Sequence, residues 1–361
     1  MYQFLTASKD ASIYLQQPDQ NTGLDEILEV SKVYYGSLRD HSRVLIKFDL
    51  SYLSKSLSDN NTKLDEVTLI LRETQSEEIP LDYTLYANAI SGSWEMGIGT
   101  RFDNISTGGV TYKYREGDSK TRWLGDTTTD GIIPNFAAGS TGSYLGYGGT
   151  WYTSYSAQQG FSYTTADVAM NVKPMVQAWV SSSIPNDGII LRYSAENEGD
   201  TKDYGIIKFF SKETHTIHEP KIRIGWDDQS FQTGSLAAIE IESVKIGVSN
   251  LKKEYKLNSQ PKLRIFAREL YPLKTFTNQF AYGVTKYLPK TTYYQIKDLN
   301  SDDIIIPFSE FSKVSCDEDG NFIKLDLKNW EVNRVYKIEF KIELNGFVEY
   351  FDNDINFTVS L

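Results

Sequence analysis

The sequence predicts an all-β protein made of two successive sandwiches: an N-terminal jelly roll with one short helix, then a C-terminal immunoglobulin-like domain. Three observations lead there. Aromatic residues make up 13% of the 361, with 24 Tyr and 18 Phe, and flat side chains of this kind pack well on pleated strands. Short apolar runs with period-2 alternation recur along the whole chain, separated by Gly, Asn, Asp and Ser, the pattern of half-buried strands and turns. Helical spacing is confined to one stretch near residues 174–180. The length points to more than one domain. The polar, aperiodic run DDQSFQTGS at 227–235 reads as the linker between them. The expected domains are therefore 1–230 and 231–361, with a further split near Phe276 left open.

Taken in order, residues 2–16 alternate weakly around Phe4, Ile13, Tyr14 and Leu15, and 24–30 read as a strand. In 43–50, Val44, Ile46 and Phe48 share one face. Val67, Leu69 and Leu71 mark a mostly buried strand over 64–73, and 83–89 is another. From 97 to 160 the character changes to a long insertion rich in Gly, Ser, Thr and Tyr, with Trp123 and Trp151 inside it and Trp94 just before. Val168, Met170 and Val172 alternate, and Pro174 then opens a helix, where its missing N–H goes unneeded. Met175, Val176, Trp179 and Val180 form that helix's apolar stripe. Strands follow at 189–193, 204–210 and 221–226. Phe48, Val176, Trp179 and Trp226 are the expected structural core of this half. Beyond the linker, strands are expected at 238–248, 262–268, 291–299, 304–308, 322–327, 334–343 and 347–359. Tyr336, Ile338, Phe340 and Ile342 alternate with charged neighbours. Short strands at this spacing, without a Cys pair, fit an immunoglobulin-like sandwich rather than an antibody-type domain.

Several of these residues carry a resemblance. Asp167, Val168, Val176, Gln177, Trp179, Asn186, Gly188, Ile190 and Leu191 resemble the closing half of the DNRLRE family of β-jelly-roll domains. Asp10 to Tyr14, Asn21 to Gly23, and Arg43, Leu45, Phe48, Asp49 and Leu50 resemble its opening half. The chain departs from that pattern at Lys9-Asp10, where an Ala is usual, and in the insertion. The resemblance covers roughly the first two thirds of the chain. More narrowly, Phe209-Phe210-Ser211, His215 to His218 and Trp226-Asp227-Asp228 are similar to jelly rolls in virion proteins of contractile-tailed bacteriophages. That implies a structural component of tail, baseplate or neck, made in a host cytoplasm, residing in the virion, and partnered by other virion proteins and copies of itself.

Composition narrows the partners. A net charge of −11 is a poor match for phosphate backbones or anionic membrane surfaces, so neither nucleic acid nor membrane is expected. No apolar run reaches the ~20 residues of a membrane span, and the first residues lack the pattern of a secretory signal. The lone Cys316 reads as a small buried hydrophobe.

No motif predicts catalysis, a cofactor or a metal. His215 and His218 lie three apart, which on a strand puts them on opposite faces, and no four-ligand set surrounds them. Asp317 to Asn321 has calcium-loop residues but Lys328 where the closing Glu would stand, so it reads as an Asp-Gly hairpin turn. Asp352-Asn353-Asp354 reads the same way. Neither a Gly-x-Ser-x-Gly elbow nor a phosphate-binding Gly-Lys-Ser/Thr is present, and carboxylate pairing in space stays open. The tract at 135–155, NFAAGSTGSYLGYGGTWYTSY, is charge-free and Tyr-rich, which suits an interface core. Tyr144, Tyr147 and Trp151 are its expected assembly surface. The other readings are a surface excursion with its aromatics tucked into the sandwich, and a sugar platform in which Trp94, Trp123 or Trp151 stacks a surface glycan. On the last reading the protein would be a carbohydrate-binding module.

Overall fold

The computed structural model describes the chain except residues 37, 52, 54–63, 106–107, 124–131, 135–147, 240–243, 273–283 and 345, and gives the backbone alone at 35, 38–39 and 132–134. The protein is mostly β and forms two compact units. One is Leu5–Arg223; the other is Ile224–Leu361 together with Met1–Phe4. The linker expected at 227–235 thus lies wholly within the second unit.

The first unit is built from strands β1 (Tyr2–Tyr14), β2 (Ile27–Tyr35), β3 (Leu38–Phe48), β4 (Glu66–Leu71), β5 (Asp82–Ile90), β6 (Tyr114–Glu116), β7 (Thr121–Arg122), β8 (Ile132–Pro134), β9 (Thr150–Ser162), β10 (Val168–Asn171), β11 (Ile189–Arg192), β12 (Gly205–Phe210) and β13 (Lys221–Gly225). Helix α1 (Lys173–Val180) follows β10, and a short α2 (Ala195–Gly199) follows β11. Its large sheet has 11 strands in the order β10-β4-β13-β1-β3-β11-β5-β9-β8, with β2 pairing β3 and β12. The organising strand is β3. It pairs with β1 along one edge, from Ala7↔Phe48 to Tyr14↔Ser42, while the other edge is divided between β2 and β11. Bridges Glu73↔Phe209 and Glu77↔Ile206 tie β12 to the segment after β4, so the strand circuit nearly closes. The bridges reduce the open edge beside β12, the kind of edge that invites aggregation.

The expected alternation is realised in β4, where Val67, Leu69 and Leu71 are fully buried. Helix α1 carries Pro174 in its first turn, buries Met175, Val176, Ala178 and Trp179, and packs on β4 and β9. Phe48, Val176 and Trp179 occupy the core as predicted. Two residues of the Asn-x-Gly turn hold the end of β3. The Asn186 side-chain amide donates to the Phe48 carbonyl at 2.8 Å. Gly188 has φ +96°, and a Cβ there would lie 2.4 Å from the Ile46 carbonyl oxygen, so only glycine fits.

The second unit contains β14 (Val244–Val248), β15 (Glu254–Lys256), β16 (Lys262–Glu269), β17 (Thr292–Asp298), β18 (Ile304–Ile306), β19 (Ser315–Asp317), β20 (Gly320–Lys324), β21 (Val335–Leu344) and β22 (Phe347–Ser360). Its sheets run β14-β16-β20-β19 and β15-β22-β21-β17-β18. Read as strands A to G, these are the ABED and CFG sheets of an immunoglobulin-like fold, with β15 joining the last strand in parallel. The Tyr336 hydroxyl, at the start of β21, donates to the Glu331 carbonyl at 2.9 Å, the tyrosine corner of such domains. Both sheets supply the core: Leu263, Ile265 and Ile323 from one, Ile296, Ile338, Phe340 and Phe357 from the other, with Tyr2 and Phe4 from the chain start.

Three expectations change here. A split near Phe276 does not hold, because β16 before it pairs with β20 after it. Trp226 is only half-buried: β13 ends at Gly225, and Trp226 belongs to the second unit, where its backbone meets Met1. Asp352, Asn353 and Asp354 lie inside β22 rather than at a hairpin turn. The register slips between Ile338↔Ile355 and Phe340↔Phe351, so the extra residues form a bulge. By contrast, Asp317↔Gly320 closes the predicted hairpin between β19 and β20.

Candidate functional site

Trp151 is the second residue of β9, opposite Ile90 of β5 and Ile133 of β8. Its ring is 1% exposed and meets two guanidinium groups, Arg192 at 4.3 Å and Arg43 at 5.3 Å from the ring centre. Such stacking of cations on indole is favourable, the more so away from water. Trp94 and Trp123 are equally buried in the same cluster, with Ala11, Leu45, Val110, Tyr112 and Ile190. Their indole N–H groups donate to the Asp187 and Thr111 carbonyls. Trp151 is therefore not a surface residue, and none of the three tryptophans offers an open face to a sugar. Gly- and Ser-rich neighbours signalled a loop here, but the sheet takes up Thr150–Ser162 as β9 and buries the Trp151 ring. Tyr144 and Tyr147 lie outside the described residues.

Beneath Trp151 lies a polar cluster that sequence reasoning missed. Arg43, a residue of the jelly-roll motif, is fully buried. Its Nε donates to Glu198 Oε1 at 2.9 Å, its Nη2 to Glu198 Oε2, and its Nη1 to the Gly148 carbonyl at 2.7 Å. Helix α2 places Glu198, and the Ser194 side chain caps that helix by accepting from the Asn197 N–H. Burial pushes the Glu198 pKa up, but the Arg43 charge and hydrogen bonds outweigh it and hold the carboxylate ionised. His41 is fully buried, with Nε2 2.9 Å from the Tyr112 hydroxyl. Burial, against the attraction of Glu198, lowers its pKa to about 4, so the ring is neutral at physiological pH. Lys32, also fully buried, donates to the Asp200 and Lys202 carbonyls. Arg43 and Glu198 neutralise each other inside the sheet, while the Lys32 ammonium lies 3.7 Å from Asp200 Oδ1, so that these contacts tie β3 to α2 and β2 to the residues after it.

A different place faces solvent. The segment from Gly97 to Ile105 presents Phe102, Ile98 and Ile105, which are 88%, 77% and 65% exposed. Its first half, up to Arg101, is nonetheless held by backbone hydrogen bonds. The Asn21 amide donates to the Met96 and Val110 carbonyls, both at 2.7 Å, and its oxygen accepts from the Gly99 N–H at 2.8 Å. Gly97 has φ +79° and passes so close to Asn21 that a Cβ would lie 2.4 Å away. Leu24 N–H donates to the Gly99 carbonyl, and Arg101 N–H to Asp25 Oδ1 at 3.0 Å. The Arg101 guanidinium stacks on Tyr14 at 4.3 Å and pairs with Glu29. A cleft of about 490 Å³ lies beside this segment, lined among others by Ile27, Ile206, Glu77, Lys208 and Phe102. A second of about 470 Å³ is lined in part by Pro18, Gln20, Phe102 and Ile105. Large apolar side chains exposed together beside a cleft are a common feature of contact surfaces.

The two histidines weighed as a metal pair go separate ways: His215 faces Glu26 at 3.5 Å and His218 stacks on Phe210. Among the described residues no group of three or more His, Cys, Asp or Glu is disposed to hold a metal ion, and no helix is long and apolar enough to cross a membrane.

No family model matches the chain, and no curated protein does. Among solved structures, a DUF4785 family protein from Legionella pneumophila is 9% identical at a TM-score of 0.20. The alignment covers all of this chain and 62% of that one. Apo β-glucuronidase 3 from Bacteroides uniformis is 8% identical at a TM-score of 0.18, covering 82% of this chain and 28% of that one.

Proposed function

We propose that the chain is a non-enzymatic structural component of a bacteriophage virion, of the tail, baseplate or neck, acting through surfaces that bind other virion proteins and copies of itself. The sequence resemblance of its jelly-roll motifs supports the virion assignment. The observation that carries the mode of action is the segment at 97–105, where Ile98, Phe102 and Ile105 stand in solvent beside a backbone that is hydrogen-bonded at Gly99 and Arg101. A protein working alone gains nothing from holding such residues in water; one that assembles gains a preorganised contact.

The glycan reading loses the platform expected for it, because Trp94, Trp123 and Trp151 are all interior. Co-expression with the products of genes flanking its own, followed by light scattering and cryo-electron microscopy, tests the assembly reading. A stoichiometric ring or tube is the expected result. A chain that stays monomeric with every flanking product, and binds oligosaccharides on a glycan array, would overturn it.

A further inference from the structure

We infer that the segment at 97–105 and the cleft beside it form a docking site for a protein segment that carries an apolar or aromatic residue flanked by Lys or Arg. This deepens the assembly reading and rests on it only in taking the occupant to be a protein.

The apolar half of the site is Phe102, with Ile98 and Ile105 on the same segment and Ile27 and Ile206 in the cleft. Phe102 lines both clefts, so an incoming segment meets it from either side. The charged half is unbalanced. Asp25, Glu26, Glu29, Glu77 and Asp103 surround the segment, against Arg101 and Lys208. Both cations are already engaged, Arg101 by Glu29 and Lys208 by Glu77. Asp25 and Asp103 accept only hydrogen bonds, from the Arg101 N–H and the Thr100 hydroxyl, and Glu26 faces the exposed ring of His215. Among the described residues none of these three is bridged by Lys or Arg. Burial raises the Asp25 pKa against the opposing hydrogen bond and charge of Arg101. A partner's Lys or Arg would supply that charge while its apolar residue covers Phe102. An acidic partner would meet like charge, and the complementarity thereby sets specificity and speeds encounter.

Dye-labelled decapeptides with a central Leu-Phe pair test this, one set flanked by Lys and Arg and a matched set by Asp and Glu, read by fluorescence anisotropy on the full chain. The basic set should bind at least about tenfold more tightly, with a salt dependence that the acidic set lacks. Phe102→Ser should weaken that binding about tenfold or more, and Asp25→Asn with Glu26→Gln should remove most of the preference for basic flanks. Because these side chains are exposed or half-exposed, circular dichroism should show folding unchanged. Equal binding of both sets, binding by neither, or binding indifferent to Phe102→Ser would overturn the docking site. So would oligosaccharide binding that disappears with Phe102→Ser. Assembly with flanking proteins that survives Phe102→Ser would also overturn the docking site yet leave the virion reading standing. Failure of the parent chain to assemble, with basic peptides still bound, would do the reverse.

Discussion

The two units bury charge to different extents, and the first encloses both members of an ion pair, Arg43 and Glu198. The second unit's core cluster is apolar and aromatic, from Tyr2 through Phe340 to Val359, and the acids it buries, Asp298 and Asp326, are few, with Asp298 paired to a half-buried Arg334. The first unit surrounds an apolar interior with Lys32, His41, Arg43 and Glu198, all 2% exposed or less, and with Asp10 at 1%. Removing apolar surface from water stabilises without reference to pH or partner identity. A buried ion stabilises nothing unless its counter-ion stays in place, because the desolvation cost is large. The second unit should therefore respond to mutation in proportion to volume removed, and the first should respond to the loss of single charges.

The largest expected effect tests that contrast directly. Glu198→Ala leaves the Arg43 guanidinium buried without its carboxylate and should cost about 3–5 kcal/mol in urea unfolding of the first unit. Adding Arg43→Met should recover much of that loss, since the isolated charge disappears. A double variant as unstable as the two single losses added together would show that the pair acts by packing alone.

Next in size is the pH response, where two buried groups oppose each other. His41 has a folded pKa near 4, below its ordinary 6.5. Its contribution is complete above pH 6.5 and is lost as pH falls towards 4, because the unfolded chain takes up a proton that the folded chain refuses. Asp10 behaves oppositely. Burial, against the Lys212 N–H that donates to it at 2.6 Å, raises its pKa from 3.8 to about 7. Its contribution is present below pH 3.8 and is lost as pH rises towards 7. Asp10→Asn keeps an oxygen for the Lys212 N–H and removes the titration. The variant should be roughly 2–4 kcal/mol more stable than its parent at pH 7, and more steeply destabilised between pH 6.5 and 4.5. A parent and variant with parallel stability–pH curves would mean that Asp10 is not desolvated.

In the second unit, Ile338→Val should cost about 1 kcal/mol, by the same amount at pH 5 and pH 8. A pH-dependent cost there would blur the distinction between the units. Smallest of all, Phe102→Ser should change stability by no more than about 0.5 kcal/mol, since its ring already stands in water; calorimetry would show whether it has a hidden structural role.

Much of the fold is legible in the chain itself. The alternation of Val67, Leu69 and Leu71, the stripe of Met175, Val176 and Trp179 behind Pro174, and the alternation from Tyr336 to Ile342 each predict an element that the structure contains. Those signals are local, since period 2 or 3.6 is written wherever one face of an element is buried. β9 was not legible. Ser154, Ser156, Gln158 and Gly160 give it a polar outer face, and its ladder with β5 is broken by a bulge between Asn88 and Ile90, so its composition reads as loop.

By itself, the sequence determined the all-β class, the two successive β-sandwiches, the single plug helix and the Asp-Gly hairpin, because each depends on neighbours a few residues apart. Only the tertiary structure decided that Met1–Phe4 belong with the second unit, that Arg43 meets Glu198 across 155 positions, and that Trp151 meets two guanidiniums. It also decided that Phe102, rather than Trp151, faces solvent. Which charge neutralises which, and which ring is covered, depends on strands brought together from distant parts of the chain, and no local period records that pairing.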